Sequence, residues 1–404
     1  MIPRERTMRR IRPFINTELI KVITGMRRCG KSVMLELIKD ELRAQGVPDD
    51  RIISFNFEQF ANAPLCTATA LHAELTRQIE GHKGKFYLFF DEIQEVTGWE
   101  KCINSCRLDF DCDLYITGSN ASLLSGELAT YLGGRYVEFV MYPFSFEEFL
   151  LVQQQKEPKA DTAQVFRKYL ELGGMPSLTN LSGSREVAAQ YLKDLYNSII
   201  LKDVVRRTKI RDVDLLERIV TFVLAGVGHP FSATSIAKYF KSERRSVSHD
   251  TIMNYVKACT DAFLFYKAPR EDLIGKNILS ISEKYYVADH GLRGAVYGQN
   301  ARDIDQTLEN IIFLELLRRG WNVTVGRVKS SEIDFVARRE REKIYVQVCY
   351  LLAGEGVIER EFGVYRSVRD NYPKYVVSLD EFDFSRDGIR HMNAREFLLS
   401  EEWR

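Results

Sequence analysis

Eight residues constrain this chain more than any others. Gly25-Met26-Arg27-Arg28-Cys29-Gly30-Lys31-Ser32 has the spacing G-x-x-x-x-G-K-S. It lies between an apolar run at 19–24 that predicts a buried strand and a helical pattern at 31–44 with Met34, Leu35, Ile38 and Leu42 on one side. A loop of this spacing between strand and helix is built to hold phosphate. Gly25 and Gly30 allow the tight turn. The successive backbone N–H groups of Arg28, Cys29, Gly30, Lys31, Ser32 and Val33 then point into one anion-sized cavity. The following helix turns its positive end to the same place. Lys31 is expected to supply charge for the β- and γ-phosphates, and the Ser32 hydroxyl to ligate magnesium. The expected ligand is a nucleoside triphosphate with Mg2+.

Such a site needs a second set of groups for the metal and the attacking water. About 60 residues on, the apolar run 86–90 ends in Asp91-Glu92. Asp91 is expected to hold magnesium and Glu92 to polarise water as the catalytic base. Another apolar run, 114–117, leads into Gly118-Ser119-Asn120. Asn120 is the candidate to contact the γ-phosphate or orient water, with Ser119 second; a helix cap explains it nearly as well. Arg135, after Gly133-Gly134, is a candidate for transition-state charge from the same chain or from a neighbouring subunit, and a surface ion pair explains it equally well. No Asn-Lys-x-Asp guanine-reading element occurs, which favours ATP over GTP.

The 57 basic and 56 acidic residues leave a formal charge of +1, so no global field draws the chain to nucleic acid or membrane. The arginines at 4, 6, 9, 10 and 12 lack a following apolar region, so they do not form a secretory signal. They could reach the nucleotide, dock on the sheet or stay solvated. No apolar run approaches a membrane span. Seven scattered cysteines suit reduced thiols in the cytoplasm, and Cys102, Cys106 and Cys112 read as buried small hydrophobes and not as zinc ligands.

Apolar runs at 52–57, 86–90, 114–117 and 136–141 are mostly separated by helical patterns, predicting an α/β domain with a parallel sheet over 1–150. A polar stretch at 152–163 marks a boundary. A helical region then covers 151–228, a helix–turn–helix–strand module 229–275, and mixed helices and strands 276–404.

Taken together, these residues resemble the bacterial and archaeal AAA-type P-loop ATPases whose C-terminal half is a widespread uncharacterised domain. The resemblance spans nearly the whole chain. It is carried by Arg27-Arg28, Asp91-Glu92-Ile93-Gln94, Thr117-Gly118-Ser119-Asn120, Gly173-Gly174-Met175-Pro176, Ala288-Asp289-His290-Gly291, Leu308-Glu309-Asn310 and Glu332-Ile333-Asp334-Phe335. It implies an AAA-like ATPase domain, a helical lid, a winged-helix-like module and a restriction-endonuclease-like α/β domain at the C-terminus. By analogy Asn120 resembles a sensor residue and Arg135 an arginine finger.

In the 229–275 module, Lys238, Lys241, Arg244, Arg245 and Lys257 surround two helices. A nucleic-acid reading places residues 248–257 in a groove; packing as a lid or partner surface explains the same pattern slightly better. In the C-terminal domain Glu309 on a helix and Asp334 on a strand match a nuclease-like site. Gln347 and Cys349 stand where a glutamate and a lysine are expected, so one anionic ligand and one cation are missing. The expected domain is a catalytically inactive nuclease scaffold, with Glu309, Glu332 and Asp334 left either to weak metal binding or to local pairing. The leading functional reading is an ATPase whose nucleotide state repositions the C-terminal modules, with DNA, RNA or a protein as partner and oligomerisation open. A nucleotide-gated regulatory protein is the second reading, and an ATP-dependent nuclease the third.

Overall fold

The computed structural model describes residues 2–124, 133–181, 184–273, 275, 277–298, 300, 303–328 and 331–403. The chain forms two compact units, Met1–Pro143 with Asp261–Phe263, and Phe144–Thr260 with Leu264–Arg404.

The first unit is a five-stranded parallel sheet of β1 (Ile20–Gly25), β2 (Ile52–Asn56), β3 (Phe86–Asp91), β4 (Cys112–Gly118) and β5 (Tyr136–Met141), in the order β2-β3-β4-β1-β5. All of β1 and β3 is buried, as continuous apolar runs in a parallel sheet require. One core cluster combines Val22, Leu88, Phe90 and Ile116 of the sheet with Leu71 and Leu75 of helix Ala68–Ile79 and Cys102, Ile103 and Cys106 of helix Trp99–Asp109. All seven cysteines are free thiols.

Lys21 and Asp113 are both fully buried and form an ion pair at the beginning of β1 and β4. Asp113 also accepts from the Asn16 N–H and the Tyr115 hydroxyl, both at 2.8 Å, while Lys21 donates to the Leu19 carbonyl at 2.8 Å. This closed network fixes the segment entering β1, far from the phosphate loop. Because every strand runs the same way, the ends of β1, β3 and β4 gather on one edge, where ligands bind in open parallel sheets.

In the second unit, helices Phe146–Lys156, Thr162–Leu172 and Arg185–Ser198 come first, followed by Val213–Ala225, Ala233–Ser242 and His249–Asp261. A seven-stranded mixed sheet follows, built from β6 (Phe265–Asp272), β7 (Asn277–Val287), β8 (Asn322–Val328), β9 (Ser331–Arg339), β10 (Glu342–Val348), β11 (Lys374–Ser378) and β12 (Arg390–Asn393), in the order β12-β11-β10-β9-β8-β6-β7. The three segments expected at 151–228, 229–275 and 276–404 all lie in this unit apart from 261–263. β6 and β7 pair antiparallel across residue 275, so the sheet is continuous through that boundary. The first strand after the helices begins at Phe265, after Phe263 adopts a left-handed conformation (φ 55°) that turns the chain. Helix Ile304–Arg318 lies against the sheet, with Phe313 stacked on Tyr286 at a centroid distance of 4.1 Å. Among the described residues no helix is long and apolar enough to cross a membrane.

Candidate active site

The loop between β1 and helix Lys31–Ala44 begins and ends on glycines that the geometry requires. Gly25 has φ 141°, and a Cβ there would stand 2.2 Å from the Met141 carbonyl oxygen. Gly30 has φ 110° and precedes the helix without any side-chain cap. The helix N–H groups are therefore left to face an anion. Arg28, also left-handed at φ 63°, is exposed, as are Ser32 and Val33. Cys29 is buried beneath the loop, where burial pushes its thiol up. Its own N–H closes a turn on the Met26 carbonyl at 3.3 Å. Its contribution to a ligand is thus one of loop shape, not of sulfur chemistry.

Lys31 is 4% exposed and curls back over the loop. Its Nζ donates to the carbonyls of Gly25 (3.2 Å) and Met26 (3.3 Å) and lies 3.3 Å from Glu92 Oε1. Asp91 closes β3 at the same edge. Its carboxylate accepts from the Thr117 hydroxyl at 2.5 Å and the Asn56 amide at 2.9 Å, and is also hydrogen-bonded to Ser32. Burial pushes the Asp91 carboxyl above its ordinary value, against the hydrogen bonds from Ser32 and Thr117.

Glu92 sits in a left-handed conformation, φ 53° and ψ 51°, stabilised by its N–H donating to Thr117 Oγ1 at 2.9 Å. Its second oxygen accepts from the Gln94 amide. Burial alone would raise this carboxyl, but Lys31, Gln94 and Arg27 outweigh it and hold it below the usual range. Glu92 is therefore an anion at neutral pH beside a cation, as a base that handles water must be.

The loop, Asp91 and Glu92 are thus brought together. Asn120 is buried and lies two residues beyond β4, whose Gly118 is in register with Thr24 of the neighbouring β1. Its backbone therefore belongs to the loop edge, as does that of the fully buried Ser119. Arg135 does not join them. Its carbonyl accepts from the Ile20 N–H, which places it at the start of β5. Six residues of strand, about 20 Å, separate it from the loop edge. Within its own chain the side chain cannot reach the phosphate loop. Asn56, Thr117 and Gln94 hold the two carboxylates, a role expected of none of them from the sequence, although Thr117 and Gln94 lie in its motifs and Asn56 ends β2 at this edge.

The basic N-terminal segment docks on the loop. Arg4 Nη1 donates to the Cys29 carbonyl at 3.2 Å and Nη2 to the Tyr142 carbonyl at 2.7 Å.

The second constellation, in the second unit, is filled by a lysine. Lys284 of β7, 3% exposed, places its Nζ 3.0 Å from Glu309 Oε1, 2.8 Å from Glu332 Oε1 and 3.9 Å from Asp334 Oδ1. Burial opposes its charge, but the three carboxylates outweigh it and raise its pKa. Arg270 takes the other oxygen of Glu332 at 2.8 Å. Asp334 is pushed well above its ordinary value by burial and by Glu309. Lys284 and Arg270 thus pair with these carboxylates inside the cluster. Of the alternatives open for Glu309, Glu332 and Asp334, the geometry is that of local pairing. Among the described residues no group of three or more His, Cys, Asp or Glu side chains is arranged to hold a metal. Gln347 accepts from the Asp334 N–H at 3.1 Å and donates to Glu361 at 2.8 Å, while Cys349 belongs to an apolar cluster with Ile333 and Tyr345. In the 229–275 module Arg245 is taken up by Asp212 and Asp214, whereas Lys238, Lys241, Arg244 and Lys257 are exposed.

Comparison with known proteins agrees with an AAA domain in the first unit. Residues 17–150 match the family model of an AAA domain, and residues 163–303 that of a domain of unknown function. An uncharacterised protein of Haemophilus influenzae is 37% identical over 400 residues, covering 99% of both chains. An uncharacterised protein of Methanocaldococcus jannaschii is 31% identical over 395 residues, covering 94% of this chain and 86% of that one. Among solved structures, the ORC2 protein of Aeropyrum pernix aligns at 10% identity with a TM-score of 0.38, covering 78% of this chain and 93% of that chain. A TM-score this low leaves the relation between the folds loose.

Proposed function

This chain belongs to the family of the Haemophilus influenzae and Methanocaldococcus jannaschii proteins and carries an AAA domain, and we propose that it is a Mg2+-dependent ATPase whose nucleotide state acts on its C-terminal half. The observation that carries this reading is the convergence of Lys31, Ser32, Asp91 and Glu92 on one sheet edge. Loop N–H groups and the uncapped helix start bind the phosphates. Lys31 leaves Glu92 for the β- and γ-phosphates. Ser32 and Asp91, already hydrogen-bonded to one another, offer the hard oxygen ligands that magnesium prefers. When bound, the ion supplies charge that offsets the negative γ-phosphate. Glu92, freed from Lys31, accepts the proton of the attacking water. Asn120 supports the site as a buried polar group at the loop edge, and Arg135 is left either to a neighbouring subunit's site or to a surface ion pair.

The exposed lysines and Arg244 of the 229–275 module are compatible with nucleic acid as the macromolecule acted on, and stimulation of turnover by DNA or RNA reads that directly. Phosphate release from ATP in Mg2+ and in EDTA tests the reading itself. Release that needs Mg2+ and is lost in Lys31→Ala is expected. ATP binding without any release selects the second reading, a nucleotide-gated regulatory protein.

A further inference from the structure

Two motifs of the sequence take no part in the site described above, Gly173-Gly174 and Asp289-His290-Gly291, and the buried Arg4 touches that site only through the Cys29 carbonyl. Within the first unit Arg4 bonds to Tyr142, and within the second Gly174 bonds to Phe144 and Asp289; only Pro143 stands between Tyr142 and Phe144 in the chain.

On the first unit's side, Arg4 is 5% exposed and holds a left-handed backbone (φ 45°, ψ 43°) that costs a non-glycine residue energy unless its surroundings demand it. Its guanidinium spans the carbonyls of Cys29 and Tyr142. The Cys29 carbonyl belongs to the same peptide unit as the Gly30 N–H. A phosphate accepting from that N–H polarises the peptide, and the charge of Arg4 on its oxygen reinforces the polarisation. Arg4 therefore grips the outer face of a peptide whose inner face is offered to phosphate. Backbone contact tightens the link, because the Cβ position of Gly25 is 2.2 Å from the Met141 carbonyl oxygen. The start of the loop and the last residue of β5 cannot move independently.

On the second unit's side, the Phe144 N–H donates to the Gly174 carbonyl at 2.7 Å, and the Phe144 carbonyl accepts from the Tyr169 hydroxyl at 3.1 Å. A Cβ on Gly174 would stand 2.3 Å from the Phe144 carbonyl oxygen. The Gly174 N–H in turn donates to Asp289 Oδ2 at 2.6 Å, and His290 Nε2 is 2.6 Å from the Tyr169 carbonyl. A Cβ on Gly291 would be 2.0 Å from the Leu172 carbonyl oxygen, so the two glycine motifs are locked backbone to backbone. Between the two gripped residues stands only Pro143, whose ring fixes φ.

We propose that Arg4 is a positioning residue that ties the phosphate loop to the Tyr142-Pro143-Phe144 joint, through which the nucleotide state reaches the Gly173-Gly174 and Asp289-His290 turn of the second unit. This rests on the reading of the loop as a nucleotide site. It gives the two glycine motifs a common role in communication.

Hydrogen exchange on the full chain tests it, with and without a saturating non-hydrolysable ATP analogue in Mg2+. In the wild type the analogue is expected to slow exchange about threefold or more both in 25–33 and in 169–176 and 288–293. In Arg4→Ala the analogue still protects 25–33, with affinity reduced about tenfold, while the distal segments no longer respond. Arg4→Lys, whose single ammonium cannot span both carbonyls as a planar fork does, is expected to behave alike and serves if the alanine variant does not fold. Distal protection that persists in a nucleotide-bound Arg4 variant overturns the relay, as does a wild type that protects its loop and nothing beyond. A wild type that shows no loop protection at any analogue concentration instead removes the nucleotide site, and the relay with it.

Discussion

Lys31 Nζ and Glu92 Oε1 stand 3.3 Å apart, so the cation that we propose binds phosphate and the carboxylate that we propose acts on water are paired with one another. On this proposal a bound nucleotide competes with Glu92 for Lys31. The buried pair lowers the pKa of Glu92 and so keeps the base ionised, at the cost of competing with the phosphates for Lys31.

That competition makes Glu92→Gln a tighter binder. With magnesium removed by EDTA, to exclude metal effects and turnover, titration calorimetry with a non-hydrolysable ATP analogue is expected to show affinity raised about fivefold, equivalent to about 1 kcal/mol. Unchanged or weaker binding would mean that the contact does not hold Lys31 back.

Lys284 fills the space between Glu309, Glu332 and Asp334 with its own charge. Lys284→Met leaves buried carboxylates uncompensated and is expected to cost about 3 kcal/mol. Thermal melts should show Mn2+ restoring part of that loss in the variant, while the wild type melts alike in Mn2+ and EDTA. A wild type stabilised by Mn2+, or one that cleaves DNA or RNA in Mg2+ or Mn2+, contradicts the lysine-filled cluster.

His290 is buried against Tyr169, and burial lowers its pKa even though Asp289 opposes the shift. The folded state therefore binds a proton less readily than the unfolded chain, whose histidine titrates near about 6.5. Its stabilising contribution is complete above that pH and is lost as pH falls toward the depressed folded value, at up to about 1.4 kcal/mol per pH unit. Denaturant melts from pH 8 to pH 5 should show this loss in the wild type and a shallower slope in His290→Gln. Equal slopes would remove His290 as its source.

Much of the first unit was legible in the sequence because its signals are local. A continuous apolar run predicts a buried parallel strand, and β1, β2, β3 and β5 lie within a residue or so of the runs that predict them. The loop and Asp91-Glu92 are contiguous motifs whose chemistry needs their spacing. The unread parts depend on contacts distant in sequence. Arg4 meets Cys29 from 25 residues away and Tyr142 from 138 away. Lys284 replaces a missing cation from a strand 50 residues before Asp334, where a search along the nuclease-like spacing does not look. Arg135 looked plausible as a glycine-flanked arginine; only strand direction reveals that it faces the wrong edge for its own loop.

The central claim is that Glu92 acts on water while Lys31 and the loop bind ATP. Phosphate release by Glu92→Gln, measured at ATP concentrations that saturate binding and compared with the wild type, tests it most directly. Turnover is expected to fall by about 100-fold or more, with ATP bound and intact on the protein. Turnover that survives at the wild-type rate would contradict it.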